Sequence, residues 1–138
     1  MLTLTSEPDA SREDRSVVGD GVDSYNIRVT GDASYSPINL FLRDETGAIR
    51  GGILADLWGG WMHIRFLYIE ESLRQQGYGS RLLKAAEEEA RGKGGRNAFV
   101  ETFSFQARPF YERHGYQVFG ELHDYPAGHN YYFLRKAL

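Results

Sequence analysis

Two glycines, Gly77 and Gly79, stand in the run Leu73-Arg74-Gln75-Gln76-Gly77-Tyr78-Gly79-Ser80. The run joins a strand-like stretch to a helix-like one. Glycine lets a backbone approach a ligand closely, and a helix N-terminus offers free N–H groups and the positive end of a dipole. Phosphate is the guest such a turn suits best. Two familiar phosphate motifs fail here. A dinucleotide fingerprint asks for a third glycine three residues after the second, and position 82 is Leu. A P-loop asks for Gly-Lys followed by Ser or Thr, and Gly79 is followed by Ser80 and Arg81. By itself the pair also suits a tight strand-to-helix turn with no ligand at all.

The elements around the turn are readable from periodicity. Residues 38–43 alternate, residues 44–47 form a turn, and residues 48–57 follow as the second arm of a hairpin. Trp58-Gly59-Gly60-Trp61 makes another turn into a β run over 61–69. Residues 78–91 predict a helix whose apolar stripe is Leu82, Leu83, Ala86 and Ala90. Residues 97–103 alternate again, with Phe99, Glu101 and Phe103 on one face. A strand, a helix and a strand in series predict a parallel pair, 61–69 beside 97–103. A short helix over 105–114 and strands at 116–122 and 130–137 complete the pattern, with a polar loop at 123–129. Ahead of all this, residues 2–5 read as a strand and 7–18 as a short acidic helix capped by Ser6. Residues 19–37 read as loop, with a short strand within 25–30.

Composition limits the function classes. A chain of 138 residues suffices for one domain without cross-links. It has no cysteine, which excludes disulfides, thiolate metal sites and an acyl-cysteine intermediate. Sixteen glycines is high against a typical share of about 7%. The net charge of −3 gives no footprint for nucleic acid. Residues 1–25 hold six acids and two bases, so the acidity is concentrated there. The start lacks a basic segment followed by an apolar one, so no signal peptide is expected. No apolar run approaches about 18 residues, so no membrane partner is expected, and a cytoplasmic address follows. No clustering of His with carboxylates points to a metal.

The turn does not stand alone. Arg74-x-x-Gly77-x-Gly79 resembles the Arg/Gln-x-x-Gly-x-Gly/Ala signature of the GNAT superfamily of acyl-CoA-dependent N-acetyltransferases. Residues 104–116, from Ser104 through Ala107, Phe110, Tyr111 and Glu112 to Gly115 and Tyr116, resemble that family's second block. Its usual form is Asn-x-x-Ala-x-x-apolar-Tyr-Glu-basic-x-Gly-aromatic. The resemblance is strong over 61–137 and loose over the first 37 residues. It implies a single GNAT domain over 1–138, with 1–24 as an acidic N-terminal segment. It implies an α+β (mixed α/β) fold. The central sheet is mixed, mostly antiparallel, of six to seven strands, with splayed parallel central strands and flanking helices.

The family's known chemistry implies roles for matching positions. Acetyl-CoA is the implied cosubstrate. Backbone amides of Gln75, Gln76, Gly77, Tyr78, Gly79 and Ser80 would bind its pyrophosphate, with Arg74 alongside. Backbone groups of Tyr68 and Ile69 would pair with the pantetheine arm, and an amide near Tyr68 would face the oxyanion. Arg108, Arg113 and Lys93 are the bases available for the 3′-phosphate. Ser104 stands where the family often has Asn, a departure that shortens the reach of that contact. Tyr111 occupies the position of the acid that protonates the leaving thiolate. Glu101 is the first candidate base, followed by Glu70 and Glu71, with His63 as a relay.

The acyl acceptor is less legible. Tyr25, Trp58, Trp61, Tyr125 and His129 are the candidate walls of its site. The implied activity is transfer of an acetyl group to a primary amine, on a small molecule or on a protein, by direct attack in a ternary complex. The competing reading is a non-catalytic acyl-CoA-binding regulatory module, against which the presence of Tyr111 argues. The aromatic terminus Tyr131, Tyr132 and Phe133 is compatible with a homodimer.

Overall fold

The computed structural model describes residues 1–138 and divides into two units, Met1–Ala33 and Ser34–Leu138. The first carries one helix, α1 (Arg12–Thr30), none of whose residues is buried. This corrects the expectation for the N-terminal region. The helix starts at Arg12 rather than near residue 7, and Ser11 rather than Ser6 caps it by accepting from the Asp14 amide at 3.0 Å. It then runs through Gly19 and Gly21, where a loop and a strand were expected. Both ends are locally specified. Glu13 and Asp14 lie in the first turn, Arg28 lies in the last, and Gly31 closes the helix at φ 73° with its N–H on the Ile27 carbonyl. Residues 2–5 form no strand, because they carry no ladder hydrogen bonds.

The second unit is an α+β unit built on one mixed sheet of six strands. The strands are β1 (Ser36–Arg43), β2 (Ile49–Trp58), β3 (Trp61–Ile69), β4 (Asn97–Phe103), β5 (Gln117–His123) and β6 (Asn130–Ala137). Their order is β1-β2-β3-β4-β6-β5. All neighbours are antiparallel except β3 and β4, the parallel pair joined through α2 (Tyr78–Gly92). A 3-10 turn over Glu71–Leu73 separates β3 from the glycine run. The second helix of this unit, α3 (Arg108–Arg113), is shorter than the expected 105–114, and the residues before it form turns.

The core lies between α2 and the sheet. Leu82, Leu83, Ala86 and Ala90 are buried as the periodicity predicts, against Ile38, Ile53, Ala55, Leu57, Met62, Ile64, Ala98, Val100 and Leu134. Each fully buried Leu, Ile, Val or Met side chain contributes about 1.5–3 kcal/mol. The same stripe buries a carboxylate. Glu87 is 3% exposed and accepts from the Tyr116 hydroxyl at 2.8 Å and from Lys136 Nζ at 2.9 Å. Burial and this neighbouring charge push the Tyr116 hydroxyl well above the usual phenol range. No helix is long and apolar enough to cross a membrane.

Candidate active site

The site follows from where the parallel pairing stops. β3 and β4 pair from Trp61↔Asn97 to Ile64↔Val100 and no further. Beyond that point β3 continues to Ile69 and β4 to Phe103. A β-bulge sits at the same place, because Leu54 of β2 opposes Phe66 while Ala55 opposes Ile64. The extra residue, Arg65, bends β3 away from β4. The two strand ends therefore diverge and open a cleft of about 960 Å³.

Its first wall is the end of β3 and the glycine turn. Gln75, at φ 61°, and Gly77, at φ 84°, both take the left-handed region, which a side chain at position 77 resists. No atom lies within 4 Å of where a Cβ on Gly77 would stand, so the turn presents bare backbone to open space. Gly77 precedes α2, whose first intrahelical bond runs from the Arg81 amide to the Gly77 carbonyl. The amides of Tyr78, Gly79 and Ser80 are thus unspent within the helix. Arg74 lines the cleft and is fixed by its Nε on the Ile69 carbonyl at 2.9 Å. Ser80 Oγ pairs with His114 Nε2 at 2.8 Å. Burial and nearby Lys84 lower the His114 pKa, which favours the neutral ring, and the Ser80 hydroxyl can donate to or accept from Nε2.

The opposite wall comes from β4 and α3. Glu101 lines the cleft, and its Oε2 lies 2.7 Å from His63 Nε2. His63 stacks on Phe99 with ring centroids 4.1 Å apart. Tyr111 lines the cleft from α3, 4% exposed, between the rings of Phe110 and Tyr116. Burial alone raises its pKa, so the hydroxyl stays protonated across the neutral range.

The sequence candidates divide clearly. The cleft gathers Tyr68, Ile69, Arg74, Gln75, Gly77, Tyr78, Gly79, Ser80, Glu101 and Tyr111. Gln76 turns back to the Ser72 carbonyl at 3.2 Å. Ser104 ties the end of β4 to β6, its Oγ accepting from the Asn130 amide at 3.0 Å. Arg108 is held over the Tyr132 ring at 4.4 Å and by Glu112, while Arg113 lines the cleft. Lys93 is engaged with Ser36 and Glu89. Glu70 is bound by Arg50. Trp58 and Trp61 flank the turn at the start of β3, at the far end of that strand from the cleft. Tyr25 belongs to α1, where Arg28 lies over its ring. Sequence reasoning missed Phe105, Gln106 and Phe110, which also line the cleft. The aromatic spacing of Phe103 and Phe105 was the available signal.

The model of the Acetyltransferase (GNAT) family matches residues 10–116. The chain belongs to the GNAT acetyltransferases. This GNAT protein is 30% identical over 127 residues to an acetyltransferase of Agrobacterium fabrum, covering 92% of this chain and 93% of that one. It is 38% identical over 95 residues to the blasticidin-S acetyltransferase of Streptomyces morookaense, covering 68% and 70%. The crystal structure of an acetyltransferase from Bacillus cereus shares the fold at a TM-score of 0.83 and 34% identity, covering 97% and 98%. A Bacillus anthracis structure solved in complex with acetyl coenzyme A also has this fold, at a TM-score of 0.65 and 19% identity. It is covered over 62% of its length by 74% of this chain. The expected family, sheet class and enzyme class are therefore the observed ones.

Proposed function

We propose that the cleft seats acetyl-CoA and that the enzyme moves its acetyl group to a primary amine in a ternary complex. The observation that carries the reading is the divergence of β3 and β4 beyond Ile64 and Val100, which opens a channel ending at the bare amides of the glycine turn. The residues fit that occupant. Open space at Gly77 admits a pyrophosphate, the amides of Tyr78, Gly79 and Ser80 offer donors, and Arg74 and Arg113 supply charge. The complex of the Bacillus anthracis protein with acetyl coenzyme A supports the same assignment.

Acetyl-CoA supplies an activated thioester, and the chain's own groups do the rest. The Ile69 carbonyl lies on the β3 edge that β4 has left, where an extended arm would meet it beside Arg74, whereas the Tyr68 carbonyl is turned toward Gly51 of β2. The carboxylate of Glu101 takes a proton from the incoming ammonium, and His63 holds that carboxylate in place. A C–N bond forms as the C–S bond breaks. Two protons leave the nitrogen. One passes through Glu101 to water, and the other replaces the proton that Tyr111 gives to the sulfur. Burial makes Tyr111 a reluctant acid but keeps its proton available at every working pH.

The test is thiol release from acetyl-CoA across a panel of primary amines. Amine-dependent release, with the acetylated amine found by mass spectrometry, is the expected result. Tight acetyl-CoA binding with no transfer to any amine in the panel would contradict the catalytic part of the reading.

A further inference from the structure

We infer that the rings of Phe103, Phe105, Tyr125 and Tyr131 seat a flat, unsaturated ring of the acyl acceptor, with the acceptor's amine directed to Glu101. This rests on the acetyl-transfer reading of the cleft and specifies its acceptor.

The sheet sets the arrangement. Phe99, Glu101 and Phe103 share one face of β4, turned away from the buried face carrying Ala98, Val100 and Thr102. In register beside them on β6 stand Phe133, opposite Glu101, and Tyr131, opposite Phe103. Glu101 is therefore bordered by aromatic rings on its own strand and on the next. Beyond the strand end, Phe105 stacks on Phe103 at 5.1 Å and 9°. Tyr125 packs on Phe103 at 5.3 Å and on Tyr131 at 5.1 Å. His129 meets the Phe105 ring edge-on at 5.0 Å.

Two features show that this cluster faces outward. Phe105 is 56% exposed and lines the cleft, so one face rests on Phe103 while much of the ring stays open. Tyr125 is 50% exposed. The loop that carries it is held by its own hydrogen bonds, Tyr125 amide to His129 carbonyl and His129 amide to Pro126 carbonyl. The seat is thus built before any ligand arrives, which lowers the cost of binding.

Charge and reach define the guest. An exposed aromatic surface offers stacking to a flat ring, and the neighbouring carboxylate favours a cation. The field of Glu101 reaches the seat, since it helps hold Tyr131 above the usual phenol range after burial has raised it. Glu101 and Phe103 are two residues apart along one strand, a separation of about 7 Å. A ring joined to its amine by two or three carbons spans that distance. The class is a small arylalkyl- or heteroarylalkylamine.

The experiment compares 2-phenylethylamine and 3-phenylpropylamine with hexylamine, using wild type, Phe105→Leu and Tyr125→Leu. Leucine keeps apolar bulk and removes the π face, and melting temperatures establish that each variant folds. Wild type should favour the aryl amines at least about 10-fold in kcat/KM, mostly through KM, and each variant should cut that preference about 5-fold. Equal use of aryl and alkyl amines, or a preference untouched by both substitutions, overturns the seat while leaving acetyl transfer standing. If no amine turns over, calorimetry of 2-phenylethylamine against hexylamine in the presence of CoA decides. Tighter aryl binding that the variants abolish supports the seat, and indifferent binding overturns it. Failure of the acetyl-transfer reading is separate and shows as absent acetyl-CoA binding, or as binding with no transfer to any amine.

Discussion

His63 and Glu101 meet across the sheet's one parallel strand pair, with Nε2 and Oε2 2.7 Å apart. The contact runs from the next-to-last paired residue of β3 to the first residue of β4 beyond the pairing, where the strands part. It places on the cleft wall a carboxylate that an imidazole holds. Glu101→Gln should lower kcat about 100-fold, within the usual range for loss of a general base. His63→Gln should lower kcat about 10-fold with little change in KM, because it acts through Glu101. Calorimetry should show acetyl-CoA affinity preserved in both. Wild-type kcat in Glu101→Gln would remove the carboxylate from the mechanism.

Tyr111→Phe removes one oxygen from a buried ring and leaves its packing against Phe110 and Tyr116 intact. Thiol release should fall about 10-fold at unchanged acetyl-CoA affinity, the signature of an interaction made in the transition state. An unaltered rate would assign the proton to water.

The buried Glu87 network should govern stability rather than catalysis. Glu87→Ala strands the Tyr116 hydroxyl and Lys136 together. A loss of about 3 kcal/mol is expected in denaturant unfolding, at the low end for breaking a buried pair because Lys136 is partly exposed. A loss below about 1 kcal/mol would mean that water satisfies both partners.

Stability should fall at both extremes of pH, for opposite reasons. The Tyr116 hydroxyl is held above the ordinary value of 10 in the fold, so its contribution is complete below pH 10 and is lost as pH climbs beyond it. Asp44 is lowered from 3.8 to about 2, first by its hydrogen bond with the Thr46 hydroxyl. Its contribution is present above about pH 4 and is lost as pH drops toward 2. Tyr116→Phe should flatten the alkaline limb of a melting-temperature profile, and Asp44→Asn the acid limb.

The strand–helix–strand unit was legible because its signals are local and strong. The stripe Leu82, Leu83, Ala86, Ala90 and the alternation of 97–103 match their observed burial. The glycine turn was legible as a motif. The N-terminal helix was not. Its cap at Ser11 and its glycine stop at Gly31 lie far apart, and Gly19 and Gly21 between them imitate a loop at about 1 kcal/mol each. The Ser104 and Arg108 positions follow from tertiary contacts, with Asn130 and Tyr132, that no local pattern announces. The His63–Glu101 contact likewise depends on the parallel register, which places His63 opposite Phe99 and beside Glu101.

The central claim is that the glycine turn cradles the pyrophosphate of acetyl-CoA, and calorimetric titration of wild type and Gly77→Glu tests it most directly. The substitution puts a carboxylate into the open space at Gly77 and strains a left-handed backbone position. Wild type should bind acetyl-CoA, and the variant, shown by its melting curve to be folded, should show no heat of binding. Equal affinity in the two proteins would contradict the account, because acetyl-CoA would then lie elsewhere.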